Sequence, residues 1–123
     1  MKEIELIFGA NRVPAVLNDT PTVEAIWKSL PVQGSANIWG EEIYFEIPVK
    51  STLDETAKEV VEKGDLGYWP TGKAFCIFFG PTPASQGDEI RPASAVNIVG
   101  KVEGDVDVFK SIRDGTSIKL ERM

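Results

Sequence analysis

The chain has 123 residues, 42% of them hydrophobic, so it can form one domain around a substantial core. Its 19 acidic and 13 basic residues give a net charge of -6, which repels nucleic-acid phosphates and anionic lipids and makes both poor candidate partners. The sequence contains no histidine, which excludes a histidine general base, a histidine-paired nucleophile and a histidine-ligated metal.

Apolar residues at every second position predict a β-hairpin at the start of the chain. They lie on both sides of the turn-forming residues 9–11: Ile4, Leu6, Phe8, Val13, Ala15 and Leu17. Because proline has no backbone N–H, Pro14 indicates that the second strand is an edge strand or carries a bulge.

A helix is predicted after the hairpin. Thr20 is a suitable N-cap and Pro21 suits the first helical position. The apolar residues that follow have the spacing of one helical face: Val23, Ile26, Trp27 and Leu30. Pro31 and Gly34 end the helix. A strand is predicted next from the alternating Ile43, Phe45 and Ile47.

The middle of the chain is predicted to hold two short strands. Residues 52–63 can form a helical turn or a strand, and we favour a loop followed by a strand. Residues 67–72 are predicted to form a turn between the two strands. The second strand is apolar on both faces, which is typical of a central strand or of one that lines a pocket. The single cysteine, Cys76, lies in this strand, and we interpret it as a core residue rather than a reactive thiol.

The last third of the chain opens with a long irregular segment, residues 80–94, and segments of this length are often functional. A strand with Val96, Ile98 and Val102, a short helix over residues 105–112 and a final strand follow. Several short strands and two helices favour a closed barrel formed by a single domain, residues 1–123, although a sandwich remains possible.

No apolar stretch approaches the ~18 residues of a membrane-spanning helix. The N-terminus lacks the charged-then-apolar pattern of a secretory signal. We therefore expect a cytoplasmic protein with no membrane partner.

Several motifs resemble cyclophilins, the peptidyl-prolyl isomerase fold. Residues 21–26 (Pro-Thr-Val-Glu-Ala-Ile) are similar to the start of the first cyclophilin helix, and residues 97–108 resemble a late pattern of that family. The strings at residues 39–45, 64–70 and 78–83 resemble a group of short prokaryotic cyclophilin-like proteins of unassigned function. The resemblance implies a mainly β fold: a closed antiparallel eight-stranded barrel whose openings are capped by two helices.

Classical cyclophilins carry the catalytic motifs F-H-R-x-I and Q-G-G-D-F, and neither is present here. Proline isomerisation needs no proton relay or metal, so a protein without histidine can still catalyse it. Arg91 is the candidate catalytic donor. The alternative is that Arg91 pairs with Asp88 or Glu89 and braces its loop.

Candidate ligand-binding residues are aromatic side chains near turns and polar side chains of the long segment. They are Trp39, Tyr44, Tyr68, Trp69, Phe79, Thr82, Ser85, Gln86 and Arg91. The alternative for the aromatic residues is a place in the barrel core, and the hydroxyl groups can instead bond their own backbone.

Adjacent carboxylates at residues 41–42, 54–55 and 88–89 are interpreted as solvated surface, because neighbours on a strand face opposite sides. No phosphate-binding loop, metal site or cofactor is expected. The sequence favours a non-catalytic or weakly catalytic module that binds a peptide or small molecule. The alternatives are a peptidyl-prolyl isomerase with a non-standard site and an interaction protein, and we expect a monomer or a weak homodimer.

Overall fold

The computed structural model describes residues 2–123, which form ten strands, one α-helix and two short 3-10 helices. The strands are β1 Lys2–Phe8, β2 Asn11–Leu17, β3 Val32–Ser35, β4 Asn37–Trp39, β5 Glu42–Glu46, β6 Ala57–Lys58, β7 Asp65–Trp69, β8 Ala74–Phe78, β9 Val96–Val102 and β10 Ser117–Arg122. The helices are α1 Pro21–Ser29 and the 3-10 helices Pro70–Gly72 and Val106–Ser111. None of the helices in residues 2–123 has the length and apolar character needed to span a membrane.

The sheet closes on itself through one bent strand. Its order is β3-β10-β1-β2-β9-β7-β8-β5-β4, with β6 paired to the side of β9, and only Ala36 separates β3 from β4. Counted as one, β3 and β4 therefore join the two ends of the sheet and make a barrel of eight antiparallel strands, as predicted. Only glycine fits at position 34, because a Cβ atom there would lie 2.8 Å from a ring carbon of Phe45.

The N-terminal hairpin forms as predicted, but β2 is neither an edge strand nor bulged against β1. The register between β1 and β2 is continuous, and Pro14 pairs with Glu5. On its other side β2 pairs with β9 through residues 15–17. The Pro14 carbonyl accepts a hydrogen bond from the Glu103 N–H at 2.9 Å. The nitrogen of Pro14, which carries no hydrogen, therefore faces the end of the pairing between β2 and β9. Strand β9 therefore covers the side of β2 that an edge strand would leave open.

Both predicted helices send apolar side chains into the core. Helix α1 begins at its predicted cap, where the Thr20 hydroxyl accepts a hydrogen bond from the Val23 N–H at 3.2 Å. The second helix is a 3-10 helix, and its Phe109 packs against Phe8 and Phe79 at ring distances of 5.6 and 6.0 Å. Val23 and Phe109 have no exposed surface and belong to the main core.

Strand β8 is central, and both of its faces are covered, as predicted. It pairs with β5 and β7, and its five residues are all buried. Phe75 and Ile77 join the main core, whereas Cys76 and Phe78 belong to a smaller cluster on the other side of the sheet, completed by Ile90. The segment between β8 and β9 thus covers part of the barrel's outer face.

The ambiguous region before β7 is mostly loop, with β6 and an isolated bridge between Val61 and Ile90. A buried asparagine anchors this loop. Asn97 donates to the Thr52 carbonyl at 2.9 Å and to the Thr22 hydroxyl at 3.1 Å, and it accepts from the Asp54 N–H at 2.8 Å. Sequence reasoning did not identify this network.

Candidate functional site

A pocket of ≈ 210 Å³ lies on the outer face of the barrel, where β4, β5 and β7 meet the long segment before β9. It is lined by Trp39, Glu42, Tyr44, Trp69, Pro92 and Ala93. The hairpin between β4 and β5 places Trp39 directly opposite Glu42, and Tyr44 lies two residues further along the same face of β5. The backbone of residues 92–93 lies over the sheet and completes the pocket.

The hairpin turn holds the long segment against the sheet. Gly40 adopts a left-handed conformation with φ of +61°, and a Cβ atom there would lie 2.8 Å from Pro83 and 2.9 Å from the Thr82 backbone. The next residue, Glu41, donates its N–H to the Pro81 carbonyl at 2.9 Å. Glycine is therefore required at this position both for the turn and for the close approach of the segment.

Two of the aromatic walls meet at nearly a right angle. The rings of Tyr44 and Trp69 are 6.1 Å apart with an interplanar angle of 77°. The Trp69 indole N–H donates to the Ser94 hydroxyl at 2.7 Å. This bond links the Trp69 wall to the long segment of residues 80–94, which we call the covering segment. Trp39 and Tyr44 are both half-buried, and both line the pocket.

A buried carboxylate, Glu42, forms part of the pocket. The residue is only 5% exposed, and among residues 2–123 no ion pair or hydrogen bond reaches its Oε1 atom. Burial raises the pKa of Glu42 to about 7, an effect that the neighbouring Cys76 thiol partly offsets. Burial and the Glu42 carboxylate together raise the pKa of Cys76 well above its usual value, so the thiol is protonated and unreactive.

The prediction that Glu42 lies on a solvated surface is wrong. Its outer face would be open to water on an isolated hairpin, but Trp39 and the segment around Pro92 cover it. One signal was available in the sequence. The neighbouring strand β8 is apolar on both faces, which implies that something covers the outer face of the sheet beside it.

Comparison with known proteins identifies the family of this chain. The Cyclophilin-like family matches residues 2–121. The chain belongs to the cyclophilin-like family. A solved relative is the solution structure of the hypothetical protein AF2241 from Archaeoglobus fulgidus, which is 42% identical and aligns over 99% of this chain and 95% of that one, with a TM-score of 0.84. A search of curated proteins found no match.

In this cyclophilin-like protein, three of the predicted aromatic residues line the pocket and two do not. Trp39, Tyr44 and Trp69 come together as described. Tyr68 has no exposed surface, and its hydroxyl donates to the Val49 carbonyl at 2.6 Å and accepts from the Ser51 N–H at 3.1 Å. Phe79 is 4% exposed in the main core and touches only a separate, open groove. The core alternative therefore describes these two residues.

The predicted polar residues bind the covering segment to itself. The buried Thr82 hydroxyl donates to the Arg91 carbonyl, and the Ser85 hydroxyl accepts from the Thr82 N–H at 3.0 Å. Gln86 is exposed, and its backbone N–H donates to Glu89 at 3.0 Å. Backbone hydrogen bonds lower the pKa of Glu89, since they stabilise its ionised form. These side chains shape the segment and do not line the pocket.

Arg91, the candidate catalytic donor, lies outside the aromatic pocket. Its Nε atom is 3.4 Å from Glu89 Oε2, and its side chain lines a separate surface depression beside Glu59. The alternative of a loop-bracing ion pair therefore describes its geometry. Asp88 and Glu55 are exposed as predicted. Residues 2–123 contain no group of three histidine, cysteine or acidic side chains placed to hold a metal ion.

Proposed function

We propose that this cyclophilin-like protein is a non-catalytic binding module that holds a small molecule, or one side chain of a peptide, in the outer-face pocket. The observation that carries the proposal is the set of Trp39, Tyr44 and Trp69 around the buried carboxylate of Glu42. Aromatic rings supply apolar contact area at small entropic cost, and one buried polar group supplies orientation.

The size of the pocket limits what it accepts. Its ≈ 210 Å³ is below the range of about 300–1,000 Å³ that takes a drug-sized ligand. A compact group, such as a branched alkyl head or a single ring, therefore fits better than an extended molecule. A peptide would insert one side chain and leave its backbone on the rim.

Peptidyl-prolyl isomerase activity is the second candidate, favoured by membership of the cyclophilin-like family. Its expected donor, Arg91, is paired with Glu89 and does not line the pocket. Isomerisation would then need the Trp39 indole or the Tyr44 hydroxyl as the donor to the proline nitrogen. Binding without catalysis is the simpler function, because isomerisation requires a donor to the proline nitrogen and Arg91 does not line the pocket.

Indole N–H resonances provide the test of binding, because the chain has three tryptophans and only two of them line the pocket. Trp27 lies elsewhere, with the Arg122 guanidinium 4.8 Å from its ring. We would add small branched alcohols, amines and N-acetylproline methylamide to labelled protein. Saturable shifts of the Trp39 and Trp69 signals, with Trp27 unmoved, are expected. No saturable shift with any of these compounds, or equal shifts of all three indoles, would reject the pocket as the binding site.

The same samples separate binding from catalysis. The cis/trans exchange rate of a short Ala-Pro-Phe peptide is measured by NMR with and without the protein. Binding without catalysis predicts an unchanged exchange rate. Accelerated exchange that disappears in Trp39→Phe would instead establish the isomerase, and acceleration lost in Arg91→Ala would return the donor role to that residue.

A further inference from the structure

From the composition of the pocket we infer that its ligand carries an organic ammonium cation, which lies among Trp39, Tyr44 and Trp69 and is neutralised by Glu42. This inference rests on the proposed binding function and adds the chemical class of the ligand. A free alkylammonium compound and the methylated amine of a lysine side chain share this chemistry.

The first argument is the unmatched carboxylate. Glu42 is 5% exposed, yet no lysine or arginine in residues 2–123 lies within ion-pair distance of it. A buried carboxylate is costly without a partner, and it either takes up a proton or pairs with a cation. By contrast Asp65, the other acidic residue that is 5% exposed, has such a partner, with Lys101 Nζ 3.2 Å from its Oδ1. A cationic ligand supplies the partner that the fold does not.

The second argument is the aromatic composition of the walls. Cations are attracted to the faces of tryptophan and tyrosine rings, and binding sites for quaternary ammonium groups are built from several such rings. The perpendicular arrangement of Tyr44 and Trp69, at 6.1 Å, forms a corner that a rounded ammonium head can occupy. Pro92 and Ala93 add only small apolar contacts.

Other classes of ligand fit this pocket less well. An anion would be repelled both by Glu42 and by the net charge of -6. A calcium or magnesium ion requires about six or more oxygen ligands, and the pocket offers a single carboxylate. Organic cations, in contrast, are attracted by the overall charge and need no further oxygen atoms.

A pair of ligands with the same shape isolates the effect of charge. Choline and 3,3-dimethylbutan-1-ol differ in that a carbon atom replaces the quaternary nitrogen. Both are titrated into the Trp27→Phe variant, in which the two pocket tryptophans are the remaining indole fluorophores. Choline is expected to bind at least about tenfold more tightly than the neutral alcohol.

Two substitutions on β5 test the role of the carboxylate. Glu42→Gln keeps the shape of the side chain and should reduce the preference for choline about tenfold while leaving the affinity for the neutral alcohol. Glu46→Gln is the matched control, because Glu46 lies on the same strand but is exposed. It should keep the preference. Unfolding curves are measured for both variants to check that they are folded.

The affinity for choline should also depend on pH. The titratable side chains that contact Glu42 or share its face of the pocket are Cys76 from β8 and Tyr44 from β5, whereas Trp39, Trp69, Pro92 and Ala93 carry no titratable side chain. Glu42 is mostly protonated at pH 5.5 and mostly ionised at pH 8. Choline should therefore bind about tenfold or more weakly at the lower pH, and the Glu42→Gln variant should show no such change.

The outcomes separate this inference from the proposed function. Equal affinities for choline and the neutral alcohol would overturn the cation and leave a binding pocket for neutral groups. Binding of neither choline nor the alcohol, with other compounds still shifting the pocket indoles, would also overturn it. If no compound shifts those indoles, the binding function fails as well. A trimethyl-lysine amide that binds more tightly than choline would identify a peptide side chain as the source of the ammonium group, and equal binding would favour a free small molecule.

Discussion

The buried Glu42 should give the protein an unusual loss of stability across neutral pH. Its folded-state pKa of about 7 lies above the ordinary value of 4.5. The folded protein therefore holds this proton more tightly than the unfolded chain, and stability falls as the pH rises from about 4.5 to 7. At about 1.4 kcal/mol for each tenfold change in acidity, the full loss is about 3 kcal/mol. About 2 kcal/mol of this falls between pH 5 and pH 7.5.

This window is free of the usual interfering groups. The chain has no histidine, the side chain that normally titrates there. The carboxylates of Glu62 and Glu89 have lowered pKa values and act at more acidic pH. The Cys76 thiol, whose pKa is raised, acts only in alkaline solution. A pH-dependent change in this range that disappears in Glu42→Gln is therefore assigned to Glu42.

Urea unfolding followed by circular dichroism at pH 5, 6, 7 and 7.5 measures the effect. The free energy of unfolding of Glu42→Gln should be nearly constant, so that its difference from the natural protein shifts by about 2 kcal/mol in favour of glutamine as the pH rises. The exposed control Glu46→Gln should follow the natural protein. Parallel curves for Glu42→Gln and the natural protein would show that the carboxylate is ionised throughout, and the assignment of the raised pKa would be refuted.

Two further predictions concern the fold. Asn97→Ala removes the hydrogen bonds that Asn97 makes to Thr52 and receives from Asp54, and it should lower the free energy of unfolding by about 2–3 kcal/mol in urea at pH 6; a loss below about 0.5 kcal/mol would mean that water replaces the amide. Thr20→Ala removes the cap on Val23 and should lower the same quantity by about 1 kcal/mol, whereas Thr20→Ser, which keeps the hydroxyl, should change it little.

The fold was predictable from the sequence because its main signals are local. Alternating apolar residues identified the strands, and the cap at Thr20 identified the start of α1. The error at Pro14 has a definite cause. Proline lacks one backbone donor, but β9 pairs with β2 only through residues 15–17, beyond Pro14. A strand that is paired on both sides therefore tolerates a proline at this position. Only the three-dimensional pairing distinguishes this case from an edge strand.

The site was predictable only in part because the covering segment forms it from a distance. The turn residues beside Trp39 and Trp69 favoured these rings as candidates, and both rings are half-buried and line the pocket. The burial of Glu42, in contrast, depends on residues fifty positions away in the chain, around Pro92. Tyr68 shows the opposite error. Its hydroxyl was a candidate for ligand binding, but it donates a hydrogen bond to the Val49 carbonyl inside the core.

The covering segment is attached to the barrel at three points. The segment is held at its start by the Glu41 N–H bond to the Pro81 carbonyl, in its middle by the bridge between Val61 and Ile90, and at its end by the Trp69 bond to Ser94. A ligand therefore has little chain to order when it binds, and ordering is one of the main costs of association. Without a cation the Glu42 carboxyl takes up a proton or relies on the Cys76 thiol, so the attachments that preform the pocket serve the cation binding proposed above.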